Sequence, residues 1–144
     1  MDMKLVQRAL NFQTELSEAK ARGTIFLQHV HGATQDTRLG APLQAVVESN
    51  SLAFDYADHR VSATGRPIFV DGHGGCIEYV FEATVADEKI EVFRLYLNDA
   101  SDLFTSLAPG VKPLCSATNS YSANHVRLAL IGAMIESSLF APRA

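Results

Sequence analysis

The stretch Cys76–Val85, CIEYVFEATV, decides the fold, together with the Ala86-Asp87-Glu88-Lys89 and Ile90–Leu97, IEVFRLYL, that follow it. Ile77, Tyr79, Phe81, Ala83 and Val85 alternate with Glu78, Glu82 and Thr84. A period of two places the first set on one face of a strand and the second on the other. Ala86–Lys89 reads as a four-residue turn, and a loop that short returns the chain as an antiparallel partner over Ile90–Leu97. A regular turn pairs Val85 with Ile90, Ala83 with Val92, Phe81 with Arg94 and Tyr79 with Tyr96. A bulge near Val92 gives the opposite result, with Phe93, Leu95 and Leu97 inward and Arg94 in water.

Upstream, Arg60–Val70 is a second extended run, and Pro67 within it argues for an edge position or a bulge. The loop Asp71–Gly75 joins it to the first. Leu52, Phe54 and Tyr56 alternate with Ala53 and Asp55 as a further strand, a continued helix being the alternative. Pro42–Asn50 reads as a short helix opened by Pro42, and residues 32–41 as a loop. Thr24–His31 is rich in β-branched and aromatic residues and reads as a strand. Before it, Leu5, Ala9, Phe12, Leu16 and Ala19 fall in steps of four and three. That spacing predicts an amphipathic helix over Asp2–Ala21, stopped by Gly23.

Downstream, Ser101–Leu107 reads as a helical turn with Ser101 as its N-cap. Pro109, Gly110 and Pro113 mark irregular chain. A last helix begins at Ser122 or Asn124 and runs to about Leu139. It is apolar on most sides, which predicts a long, buried helix with Ile131 and Met134 in the core. Gly132 and Ala133 would admit another element closely. The expected architecture is a single α+β domain over residues 1–144. An antiparallel meander of about four to five strands packs against an N-terminal helix and a long buried C-terminal helix.

Composition narrows the function classes. The chain has 144 residues, 47% hydrophobic and 19% charged, enough to build a core without a disulfide or metal. The net charge of −4 and the scattered Lys and Arg argue against nucleic acid and membrane surfaces. Two cysteines, Cys76 and Cys115, read as free thiols of a reducing compartment. The N-terminal residues carry no apolar signal segment, so the cytoplasm is expected.

No strong catalytic or nucleotide motif is present, and no cofactor is implied. Three weaker features remain. On a strand, His29 and His31 share a face with Ile25 and Leu27. Two imidazoles there would suit a metal if Asp71, His73 or Cys76 joined them. Against that stands a plain half-exposed strand end, and no metal is expected. The glycines of Asp71–Gly75 suit a ligand loop, but they suit a hairpin turn as well, and the turn is the favoured reading. Arg94 in the regular register would lie among Tyr79, Phe81 and Tyr96, and a buried guanidinium needs an acidic partner. That partner is a ligand or an internal carboxylate.

Two functional classes follow. The first is a non-catalytic binding or accessory protein acting through a protein–protein surface, as a homodimer. The second is a small-molecule binder or enzyme with a pocket between sheet and helix. It would hold an acidic ligand with Arg94, Tyr79, Tyr96, His29, His31 and His73.

Overall fold

The computed structural model describes residues 2–34, 45–48, 50–56, 58–117, 122–137 and 140; the side chains of 30–34, 45–48, 56, 122–124 and 127 are outside that description. Helix α1 spans Met3–Thr34 and helix α2 spans Ser122–Glu136. Between them run β1 (Ala45–Glu48), β2 (Ser51–Tyr56), β3 (His59–Val70), β4 (Gly74–Val85), β5 (Glu88–Leu97), β6 (Asp102–Phe104) and β7 (Cys115–Ser116). The seven strands form one sheet in chain order, each antiparallel to the next. Both helices pack on one face of it, so the α+β reading holds. The strand number exceeds the expected four to five.

Asp2 starts α1, its carboxylate accepting from the backbone amides of Lys4 and Leu5 at 3.0 and 3.3 Å. The helix does not stop at Gly23, and Thr24–His31 is helical rather than a strand. The step of four and three continues through Phe12, Leu16, Ala19, Gly23 and Phe26. Ala19, Phe26 and Leu27 are fully buried. Gly23 fills a core position on this stripe, where a Cβ would overlap the Tyr79 hydroxyl of β4. Contact with the sheet offsets the roughly 1 kcal/mol that glycine costs a helix. Thr24 returns its hydroxyl to the carbonyl of Lys20 at 3.2 Å, so a residue that suits a strand is satisfied inside the helix. The stripe's N-terminal end is different, because Leu5 remains 61% exposed.

The expected helix Pro42–Asn50 is also corrected. Ala45–Glu48 is strand, with Val46 opposite Ala53 and Val47 opposite Leu52. A nine-residue helix would be marginal alone, and here the backbone pairs with β2 instead. Residues 42–44, and 35–41 of the expected loop, lie outside the described residues; 32–34 belong to α1.

The strands β2, β3 and β4 fall where the alternation places them. Gly74 and Gly75 belong to β4, leaving Asp71–His73 as the turn. Pro67 sits at an edge, as expected. β2 reaches only to Thr64 along β3, so among the described residues the last six of β3 are paired on the β4 side alone. The Gly65 amide points toward the β2 side, donating to the Asn50 carbonyl at 2.9 Å. By alternation Pro67 lacks its N–H on that same open side, where no ladder bond is lost.

The β4–β5 hairpin exists, but its turn is Ala86-Asp87, with Val85 opposite Glu88. Both turn residues have positive φ, 50° and 66°. That is the geometry of a tight two-residue hairpin turn, whose twist matches that of the strands. A bulge follows, in which Glu82 opposes Glu91 and Phe81 opposes Phe93, leaving Val92 as the extra residue. Tyr79 then faces Leu95, and Val80 faces Arg94. The regular register of Phe81 with Arg94 is therefore overturned. The bulge avoids burying a guanidinium, and it puts Leu95 and Leu97 at 0% exposure. Ala86 pays for its left-handed backbone, because L residues other than Gly and Asn resist it. Replacing the turn by Ala86→Asn with Asp87→Gly is expected to raise unfolding free energy by about 0.5–1.5 kcal/mol in urea titrations. A decrease would show that these side chains have a role in the turn beyond its geometry.

Ser101 caps no helix. It has a φ of 70°, and Asp102–Phe104 pairs with β5 as a strand. The bend is built instead by Asn98, whose side-chain oxygen accepts from the amides of Ala100 and Asp102 at 3.0 and 2.9 Å.

Helix α2 is shorter than expected and is buried on one face only. Val126, Leu130 and Met134 are in the core, at steps of four. Ile131 is half-buried. Among the described residues a Cβ on Gly132 would meet nothing, so none of the described elements approaches closely there.

Candidate functional site

Of the six residues expected to form a site, the structure brings Arg94 and Tyr96 together and places Tyr79, His29 and His73 apart from them. Tyr79 is in the core, 1% exposed, its ring 5.7 Å from that of Phe26. Burial pushes its phenol well above the ordinary range. Phe26, Leu27, Tyr79 and Phe81 fill the space between α1 and the middle of the sheet. Arg94 and Tyr96 lie on the opposite, open face of the sheet. His29 is on α1, where its buried Nδ1 has no hydrogen-bond partner among the described residues. His31 is also on α1, its side chain outside the described residues. His73 is in the β3–β4 turn, its ring edge-on to Phe104 at 5.2 Å. Among the described residues no three His, Cys, Asp or Glu side chains gather as metal ligands.

Arg94 already has carboxylates. On the open face, Arg66, Glu78 and Tyr96 stand directly across from one another on β3, β4 and β5. Glu78 takes Arg66 at 2.8 Å on one oxygen and Arg94 at 3.4 Å on the other. Its side chain is only 8% exposed, although it points away from the helices, because these neighbours cover it. Arg94 also donates its Nε to Glu91 at 2.6 Å and an Nη to the Tyr96 hydroxyl at 3.5 Å. The bonds to Tyr96 and Glu91 hold the guanidinium above its ordinary pKa. The sequence carried this ladder only as alternating polar residues, a pattern shared by any solvated sheet face.

Depressions among the described residues include two of similar size. One, of about 440 Å³, lies on the open sheet face beside this ladder and is lined by Ser62, Thr64, Arg66, Glu78, Glu82 and Lys89. The other, of about 410 Å³, lies between α1 and the β3–β4 turn, lined by Arg8, Phe12, Glu15, Phe69 and His73 among others. There the Arg8 guanidinium sits 5.2 Å over the Phe69 ring, and Glu15 accepts from the Gly75 amide at 2.6 Å.

Cys76 and Cys115 form no disulfide with each other. Cys76 is fully buried, and burial, with Asp99 and Glu15 nearby, pushes its thiol up to about 11. A thiol held protonated is a poor nucleophile. Its folded pKa is raised above the ordinary value of 9.0. The folded state therefore resists thiolate formation, and this contribution is complete below pH 9.0 and lost as pH rises toward about 11. Chemical denaturation along that range should show a steeper fall in stability than for Cys76→Ser, which has no thiol to titrate there but keeps the buried Tyr79 phenol. Equal slopes for both proteins would remove the thiol as the cause.

The outer face of α2 is the other feature of note. Leu128 and Ile135, one heptad apart, are 55% and 58% exposed. Among the described residues no helix is long and apolar enough to cross a membrane. Compared with protein-family models, with curated proteins and with solved structures, the chain matches none.

Proposed function

We propose that this is a non-catalytic binding or accessory protein of the cytoplasm, acting as a homodimer through a protein–protein surface, and that the outer face of α2 is that surface. The observation that carries this reading is the exposure of Leu128 and Ile135 on a helix that is apolar around most of its circumference. Such a helix is normally buried on all sides, and clustered exposed apolar residues mark association surfaces. Sedimentation velocity over a concentration series tests it. The chain should self-associate, and Leu128→Glu with Ile135→Glu should yield a monomer with unchanged far-UV circular dichroism. A monomer at every concentration sinks the reading.

A second reading keeps the small acidic ligand. It is favoured by the depression between α1 and the β3–β4 turn, where Arg8 and His73 offer donors beside the rings of Phe12 and Phe69. Thermal stabilisation by an aromatic carboxylate, lost in Arg8→Met, would support it; no stabilisation across a panel of such acids would remove it.

A further inference from the structure

We infer that the second copy docks its α2 antiparallel against this α2, across a twofold axis passing between Ile131 and Gly132, with His125 of each copy against the partner's Glu136. The inference rests on the dimer reading above and specifies its geometry.

The helix itself supplies the register. At 100° per residue, Leu128, Gly132 and Ile135 fall within an arc of about 60°, on the side away from Val126, Leu130 and Met134. In an antiparallel twofold pair, residues equally distant from the axis on either side lie opposite each other. Leu128 and Ile135 are equally distant from the point between Ile131 and Gly132. Leu128 thus packs on the partner's Ile135, and Ile135 on the partner's Leu128. Gly132, beside which a Cβ would meet none of the described residues, lies at the crossing and lets the two backbones approach.

Hydrogen-bond complementarity selects the occupant and the direction. His125 and Glu136 are both exposed, and both lie on the same flank of the Leu128–Ile135 stripe, about 60° and 80° round from Leu128. When two helices pair antiparallel, a flank meets the same flank of the partner. His125 then meets the partner's Glu136, within two residues of exact opposition, and an imidazole N–H can donate to the carboxylate. Each pair occurs twice. A parallel pair would instead place His125 at the level of the partner's His125 and lose both bonds. One face therefore carries its own complement, as an isologous contact requires. A 15-residue helix is about 22 Å long, and one pair of them buries less than the 1,200–2,000 Å² of stable interfaces, about which the association is weak and concentration-dependent.

Sedimentation equilibrium on the full chain tests the geometry. His125→Glu should weaken the dimer by about three- to tenfold, since it places like charges across both contacts, and Glu136→Lys should weaken it as well, since it removes the acceptor of both bonds. An equimolar mixture of the two variants should recover the wild-type constant to within about twofold, because every contact in the mixed dimer is again complementary. Leu128→Glu should be monomeric. If Leu128→Glu dissociates the dimer but the mixture shows no recovery, the antiparallel pairing is wrong while the surface reading stands. If the wild-type chain is monomeric throughout, both fail.

Discussion

Leu95→Ala is expected to lower the free energy of unfolding by about 2–5 kcal/mol, the cost of deleting a buried leucine side chain, whereas Arg94→Met, one residue earlier, is expected to change it by less than about 1 kcal/mol. Leu95 is 0% exposed and stands opposite Tyr79. The Arg94 side chain is 40% exposed, so its ion pairs are screened by water and contribute little. When Arg94 is removed, Glu78 keeps Arg66 and is not left as an unpaired charge. The two substitutions together report the bulge at Val92. In the unbulged register Leu95 would face solvent and Arg94 the core, and the two effects would change places. Urea titration of both variants measures this directly. A small loss for Leu95→Ala with a large loss for Arg94→Met would reject the register.

Gly23→Ala is expected to destabilise the protein by about 1–3 kcal/mol, the usual range for overpacking, although alanine is intrinsically the better helix former by roughly 1 kcal/mol. The added methyl would overlap the Tyr79 hydroxyl, with Leu97 also near, at 3.7 Å. The Tyr79 ring is 1% exposed and packs on Phe26, so it has little room to withdraw. In a Tyr79→Phe background the hydroxyl is gone, and the penalty of Gly23→Ala should shrink by at least about 1 kcal/mol. Stabilisation by Gly23→Ala alone would show that the ring yields freely and that the glycine has no packing role.

The same two places show where the sequence stops being legible. The stretch CIEYVFEATV carries its own assignment, because alternation over ten residues is a local property of which side each Cβ takes. The Leu52–Tyr56 and Arg60–Val70 strands are readable in the same way, and Pro67 announces an edge because a missing N–H is a fact of one residue. The candidate site was far less legible. Tyr79 and Arg94 were brought together by an assumed register, and an error of one residue moves a side chain to the other face. The bulge near Val92 was readable only as an alternative register, because Val92 and Phe93 are both apolar and either one suits the core. The exposed pair Leu128 and Ile135 was visible only as part of a uniformly apolar helix, since periodicity cannot say which side of such a helix a sheet covers.

Gly23 divides the local from the tertiary most sharply. Taken alone, a glycine followed by Thr-Ile-Phe-Leu ends a helix and begins a strand. The steps from Phe12 to Phe26 did contain the longer helix, but only if Gly23 counted as a core position. What gives it that standing is Tyr79, 56 residues away in the chain. By itself, then, the sequence determined the strands β2 to β5, the class of the fold and the presence of both helices, because these follow from periodicities that each segment carries. Only the tertiary structure decided how far α1 runs, that residues 45–48 and 102–104 are strands, and which face Arg94 takes. In those places the local preferences differ by about 1 kcal/mol or less, and a few buried contacts outweigh them.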